Sequence, residues 1–353
     1  MKVTIEQIAK MCNVSRGTVD RVLHNRPYVH PQIRRNVLSA LARTGYRSPS
    51  QIEKCTVRHT AGVILPGWPD RYFFRHSQRG IRTALAKTDK REFSLIIEQL
   101  AGRSVGEHAE AIDRLLAQGV EGVILNAPME NEITSRLNRA ADKGVRIVTC
   151  MDELPQCPAA FYVGQDVARA GRVAGGLMAK YLRPGERVLA VSGDMQFYSH
   201  RKRVESFEER LGELIPPSQA VHEGRGIVTI VFCNEIFQET ARTVHHQLRM
   251  DEHIRYIYMA TQSVSGCIEG IRRAQLPYKI TVICNDTTAA ARRFLASGDV
   301  DFVIGQSVAR TAAQAVESMY QMLCLGIEPR SQRCYTGLAI YTQQMLQRTG
   351  EQL

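Results

Sequence analysis

The chain has 353 residues, enough for about two domains. Its 44% hydrophobic content is that of a globular protein and excludes a disordered or collagen-like chain. A formal charge of +11, from 46 Lys and Arg against 35 Asp and Glu, favours a polyanionic partner.

No apolar run approaches the roughly 18 residues that cross a bilayer. Residues 1–7 lack the apolar core of a secretory signal. Nine cysteines, an odd count with no Cys-x-x-Cys spacing, fit buried thiols in a reducing compartment. The expectation is a cytoplasmic protein with no membrane partner. The charge is uneven: residues 1–60 hold 11 Lys and Arg against three acids, a net +8, and the other 293 residues carry only +3. A small basic module on a nearly neutral body is the reading that follows.

Thr4-Ile5-Glu6-Gln7 has the form of a capping box and starts a helix. Ile5, Ile8, Ala9 and Cys12 make one apolar stripe. Ser15 offers a second N-cap, followed by Val19, Val22 and Leu23. Pro31 suits the first turn of a third helix, with Ile33, Val37, Leu38 and Leu41 on its apolar face and Gly45 at its C′ position. Three short helices, two of them joined by a tight turn, give helix-turn-helix geometry.

These residues carry a resemblance. Thr4-Ile5-x-x-Ile8-Ala9, then Val14-Ser15-x-x-Thr18-Val19-x-Arg21-Val22-Leu23, with Thr44-Gly45-Tyr46 closing the third helix, resembles the headpiece of the lactose-repressor family. The resemblance implies double-stranded operator DNA as partner, with the second helix in the major groove. Arg16 and Gly17 stand where the family reads bases, and Arg21 also reaches in. Arg bonds guanine bidentately, whereas Gly17 only permits close approach. Ser15 and Thr18 are phosphate contacts or caps, and Thr4 meets a phosphate through its backbone N–H. Asp20, where the family commonly has Ser, is an acceptor for cytosine N4 or a partner for a nearby Arg. Residues 1–46 are the headpiece and 47–59 the linker. The family's linker holds a hinge helix with a Leu wedge. Here Pro49 is displaced and only Ile52 or Cys55 could replace the Leu, so no wedge is assigned.

From Ala61-Gly62-Val63-Ile64-Leu65 onward, short apolar runs recur at Phe93–Ile97, Gly122–Leu125, Val145–Thr149, Val188–Ser192, Tyr256–Ala260, Ile280–Cys284 and Asp301–Ile304. Amphipathic stretches separate them, among them Gln78–Ala86, Ala109–Leu116, Ile133–Ala141, Ala170–Tyr181 and Thr311–Cys324. Alternating strands and helices give an α/β body with parallel sheets, and the length calls for two lobes. No Gly-rich nucleotide loop, metal-ligand motif or nucleophile motif occurs, so no cofactor, metal site or enzymatic activity is expected. His245 and His246 are adjacent and read as a surface pair.

The order of elements resembles the periplasmic sugar-binding-protein fold of the ribose-binding type over residues 60–345. Its motifs are Tyr72-Phe73-Phe74, Cys150-Met151-Asp152, Gly164-Gln165-Asp166, His200-Arg201-Lys202-Arg203, Cys284-Asn285-Asp286 and Ile304-Gly305-Gln306. The resemblance implies lobe 1 over about 60–164 and 307–325, lobe 2 over about 165–306 and 326–345, and a tail at 346–353. It also implies an effector site between the lobes. Phe73 and Phe74 would stack on a sugar ring, Asp152 and Asp286 accept from hydroxyls, and Arg203 and Gln306 donate. Gln262 is a further candidate. Glu153, where the family often has Arg, shifts the pocket toward acceptors. Trp68 is a lid or surface packing. The functional expectation is an effector-responsive DNA-binding regulator, a repressor working as a homodimer. Two alternatives are a DNA-binding dimer whose pocket is vestigial or takes a non-sugar molecule, and an enzyme targeted to DNA. The tail has no leucine heptads, so the dimer is the default assembly.

Overall fold

The computed structural model describes residues 3–24, 26–44, 46, 58–68, 71–216 and 226–347. The chain divides into two units, Met1–Arg58 and His59–Leu353.

The first unit holds three helices, α1 (Ile5–Met11), α2 (Arg16–Leu23) and α3 (Pro31–Thr44). The capping box forms: the Thr4 N–H donates to Gln7 Oε1 at 2.8 Å and Gln7 N–H donates to Thr4 Oγ1 at 3.3 Å. Ser15 Oγ accepts from Thr18 N–H at 3.1 Å and starts α2. Ile8, Val19, Val22, Val37 and Ala40 meet in one small core. The expected C′ role of Gly45 and the linker readings at Pro49, Ile52 and Cys55 lie outside the described residues.

The second unit has two six-stranded sheets among the described residues. Lobe 1 opens with β1 (His59–Leu65), α4 (Arg71–Leu85), β2 (Phe93–Gln99), α5 (Val105–Ala117), β3 (Gly122–Leu125), α6 (Asn131–Asp142), β4 (Arg146–Cys150) and β5 (Ala160–Gly164). Lobe 2 follows with α7 (Val167–Met178), β6 (Arg187–Ser192), α8 (Tyr198–Leu214), β7 (Val228–Phe232), α9 (Phe237–Met250), β8 (Ile254–Met259), α10 (Val264–Ala274), β9 (Thr281–Asn285), α11 (Ala289–Ser297) and β10 (Phe302–Gly305). The chain then returns to lobe 1 with α12 (Val308–Leu325) and β11 (Arg333–Tyr335), and ends in lobe 2 with β12 (Ala339–Tyr341) and the short α13 (Gln343–Gln347). The strand orders are β11-β5-β4-β3-β1-β2 and β12-β10-β9-β8-β6-β7. All pairs are parallel except β10 with β12.

The chain thus crosses between lobes after Gly164, after Gly305 and between Tyr335 and Ala339. All three crossings leave from the same edge, that of β5 and β11 in one sheet and of β10 and β12 in the other. Assigning residues 326–345 wholly to lobe 2 is therefore wrong: β11 pairs with β5 in lobe 1, because an edge strand there completes hydrogen bonds that β5 would otherwise leave open. The strands β5, β7, β11 and β12 were also absent from the sequence expectations, and α4 starts at Arg71, well before Gln78. No helix among the described residues is long and apolar enough to cross a membrane.

Both sheets are buried between helices, which is why most strands read as continuous apolar runs. Close helix packing depends on small residues. A Cβ at Gly171 of α7 would lie 2.2 Å from the carbonyl oxygen of Arg203 on α8. Replacing Gly171 by Ala must push α8 away and is expected to cost about 1–3 kcal/mol of stability, read by urea denaturation. It should also displace Arg203.

Candidate functional site

In the first unit the exposed side of α2 carries Arg16, Gly17 and Arg21. Ser15 caps α2, and its Oγ lies 2.9 Å from Thr18 Oγ1, which leaves each hydroxyl further bonding capacity. Arg16 lies 3.6 Å from Glu6 in an exposed pair, the kind worth little in water and readily exchanged for a phosphate or a base. Asp20 is half-buried and faces His24 Nδ1 at 3.2 Å and Arg26 at 3.7 Å. Of its two expected roles, the structure shows the pairing with Arg.

In the second unit a narrow cleft lies where the carboxyl ends of the two sheets face each other. Lobe 1 contributes Trp68, Phe73, Arg103, Asn126, Met151 and Asp152. Lobe 2 contributes Phe197, Ser199, His200, Arg203, Glu235, Thr261, Gln262 and Asp286, with Gln306 at the second crossing. Six of the seven effector residues expected from the sequence line this cleft. Phe74 does not. It packs on the lobe 1 core, because successive helical residues point about 100° apart and only one of the pair can face the opening. Trp68 stacks on Phe73, with centroids 5.8 Å apart, and so belongs to the wall. Glu153 pairs with Arg333 and is not among the lining residues, so it does not shift the pocket toward acceptors.

The charges in the cleft are held by hydrogen bonds, as burial requires. Asp152 accepts from Asn126 Nδ2 and from the Ser199 backbone N–H of the other lobe, both at 2.8 Å. Gln306 Nε2 donates to Asp286 Oδ1 at 2.8 Å. Arg203 donates to Gln165 Oε1 at 3.1 Å and lies 3.9 Å from Asp286. Gln165 Nε2 reaches Gly305 O at 3.4 Å, which ties the first crossing to the second. Four buried atoms of the lining residues have no hydrogen-bond partner among the described residues: Glu235 Oε2, which faces Arg103 as an ion pair, and Arg203 Nε, Gln262 Oε1 and Gln306 Oε1. Three lining or adjoining residues outside glycine have positive φ, Met151 (68°), Glu235 (61°) and Asp286 (68°), each just beyond a strand end. Such conformations cost about 1–3 kcal/mol each and collect at functional sites.

Glu235 is the most constrained of them. Its side chain is 2% exposed, and it accepts from Thr261 Oγ1 and meets Arg103 of lobe 1 at 2.7 Å. His200 Nε2 lies 3.7 Å away. Burial alone would raise its pKa, but His200, Arg103 and the Thr261 hydroxyl outweigh it and hold the carboxyl at about 2. Arg103, Asn126, Phe197, His200 and Glu235 were missed as site residues. The rule that ligands bind beyond strand ends would have flagged Asn126 directly after β3. Glu235 follows β7, a strand the sequence reading did not find.

The class that fold and cleft define is a helix-turn-helix head joined to a two-lobed ligand-binding body. Residues 4–49 match the model of bacterial regulatory proteins of the lacI family, and residues 61–327 match that of the periplasmic binding protein domain. The chain belongs to the periplasmic binding protein domain family and carries a lacI-family head, which makes it a transcriptional regulator of that type. It is 24% identical to catabolite control protein A of Priestia megaterium over 296 residues, 82% of this chain and 83% of that protein. It is 26% identical to the HTH-type transcriptional regulator GntR of Escherichia coli K12 over 156 residues, 43% of this chain and 45% of that one. Among solved structures it resembles GanP, a glucose-galactose binding protein from Geobacillus stearothermophilus (TM-score 0.70, 18% identity, 81% of this chain and 98% of that one). It also resembles a solute binding protein from Bacillus halodurans with bound myo-inositol (TM-score 0.69, 17% identity, 83% and 97%). At those identities the likeness shows the fold.

The Glu235 carboxyl has a folded pKa of about 2 against an ordinary 4.5. Its pairing therefore adds stability above about pH 4.5 and loses it as the pH falls toward 2. Urea denaturation of the wild type and of Glu235→Gln should show the largest difference near neutrality and a shrinking one from pH 4.5 to pH 3. A difference independent of pH would contradict this.

Proposed function

We propose that the protein is a cytoplasmic repressor that binds operator DNA as a homodimer and takes a sugar-like polyol in the cleft between its lobes. The observation that carries the ligand class is the set of unpartnered buried atoms, Arg203 Nε, Gln262 Oε1 and Gln306 Oε1, beside the Phe73 and Trp68 rings. A hydroxyl both donates and accepts, so one ring of hydroxyls satisfies a donor and two acceptors together. The flat aromatic wall suits the C–H face of a pyranose or an inositol. The hexose and inositol proteins of similar fold agree with this choice. Asp152 and Asp286 are the proposed hydroxyl acceptors and Arg203 the donor; Gln306, expected as a donor, spends its Nε2 on Asp286 and offers the ligand its Oε1 as an acceptor, as Gln262 does.

On the DNA side, Arg16 and Arg21 are the proposed base readers and Gly17 permits their close approach. Ser15, Thr18 and Thr4 position the head on phosphates. Two headpieces read half-sites about one helical turn apart or at a fixed multiple, so a change in lobe closure that moves them weakens both contacts together. A coupling of typically 1–3 kcal/mol changes DNA affinity about 5–150-fold. The dimer reading is supported by exposed apolar residues at one sheet edge: Phe232 on β7, then Ile236 and Phe237, are 42–56% exposed, and Ile97 on edge strand β2 is 47% exposed.

Three outcomes test this. A panel of monosaccharides and inositols should raise the melting temperature of the wild type by mass action, and Asp286→Ala and Arg203→Ala should abolish the rise. If no polyol shifts melting or operator affinity while the operator still binds, the effector reading is wrong. Arg16→Ala should lose about 1–3 kcal/mol of discrimination between operator and mutated operator and keep the polyol response. Equal weakening on every DNA sequence would refute base reading by Arg16. Ile236→Glu should sediment as a monomer, with operator affinity lost and the polyol response kept.

A further inference from the structure

The Arg103–Glu235 pair stands apart from the other contacts of the cleft. It joins an arginine of lobe 1 to a carboxylate of lobe 2. The other ion pairs in or beside the cleft, Arg203–Asp286, His200–Glu235 and Arg333–Glu153, each stay within one lobe. Its position is also distinctive. Arg103 follows β2 and Glu235 follows β7, the two edge strands. The three chain crossings lie at the opposite edge of both sheets. A contact there acts at the longest lever arm from the hinge.

Both partners are held ready. The Glu107 carboxylate of α5 accepts from the backbone N–H of Gly102 at 2.7 Å and of Ser104 at 3.1 Å, clamping the backbone on either side of Arg103. The Arg103 guanidinium lies over the Phe197 ring of lobe 2, 5.2 Å from its centroid. Glu235 is fixed by its left-handed backbone and by Thr261. The Phe197 contact is itself made across the cleft and so adds to the closed form, while the clamped backbone at Arg103 and the fixed Glu235 carboxylate leave less ordering entropy to lose than a flexible surface bridge does.

We infer that Arg103 and Glu235 form an interlobe latch that holds the effector body closed and sets its balance of open and closed forms before any ligand binds. The inference does not rest on the identity of the effector. An apparent affinity falls with the fraction of molecules able to bind, so the latch strength would also tune the response to any ligand.

Two backbone amides report closure directly. The Met129 N–H donates across the cleft to Gln196 O at 2.7 Å, and the Ser199 N–H donates to Asp152 at 2.8 Å. The experiment is backbone hydrogen exchange on the unliganded full chain. Arg103→Met and Glu235→Gln should each speed exchange at Met129 and Ser199 at least about fivefold, as a coupling of roughly 1 kcal/mol requires. The amides of Val123, Ile124, Ile257 and Tyr258 in the sheet cores should keep their rates. Arg103→Lys should retain most of the protection, and Arg103→Met with Glu235→Gln together should be no faster than either alone. Unchanged exchange at both cleft amides in the single variants, or additive acceleration in the double, overturns the latch. Should Glu235→Gln also lose core protection, the comparison of Arg103→Met with Arg103→Lys decides, because Arg103 is more exposed than Glu235, 16% against 2%.

Discussion

Three carboxylates and one guanidinium are buried where the two sheets face each other, with a second, half-buried guanidinium beside them, and the closed form of the body depends on how those charges are satisfied. An isolated ion taken out of water costs far more than any single packing contact returns. The cleft meets that cost by sharing: Asp152 takes a backbone N–H from the opposite lobe, Asp286 takes an amide from the second crossing, and Glu235 takes a guanidinium across the opening. The lobes are therefore not merely near each other. Each completes the hydrogen bonding of charges that the other buries.

That arrangement ties ligand chemistry to lobe position. Arg203 donates to Gln165, which in turn donates to Gly305, so a group that engages the Arg203 Nε acts on a side chain bonded to the first crossing and linked through it to the second. At the far edge Glu235 directly precedes Ile236 and Phe237, part of the exposed apolar edge. A change in closure would reach that surface through one peptide bond. Transmission of this kind needs only a pair of closure states with different interface geometry, each bound differently by effector and DNA.

The head was legible because its signals are local. A capping box, an N-cap and three short stripes occur within a few residues of one another, and each governs only its own turn. The place of Asp152, Asp286 and Gln306 in the cleft was legible because each stands within two residues of a strand whose apolar run is unmistakable. Glu235 was not, although Val228-Thr229-Ile230-Val231-Phe232 of β7 is as apolar as the runs that were read: it stands three residues past the strand, where nothing local marks a carboxylate that turns inward. Arg103 was hidden for another reason: its partner is remote in sequence, and nothing local distinguishes a guanidinium that crosses a cleft from one that faces solvent. Phe73 and Phe74 were inseparable without knowing the rotation of α4. β11 and β12 have three residues each, too few for a period to register.

The opening charge of +11 can now be assigned to a role. In residues 1–60 three acids face 11 cations, so most of that positive charge has no acid to neutralise it within the segment. Of those acids, Asp20 is turned to His24 and Arg26, and Glu6 to Arg16 across an exposed gap that a phosphate could close instead. The body is different. Its cations are drawn into pairs and small networks, such as Arg172 and Arg210 on Glu213, whose carboxyl they hold at about 2, or Arg136 between Asp113 and Glu132. The surplus that attracts a polyanion thus belongs to the head, where each phosphate contact releases counterions and makes affinity fall with salt. The cleft differs again: three carboxylates stand against two guanidiniums, and each carboxylate is held by hydrogen bonds or an ion pair from the protein itself.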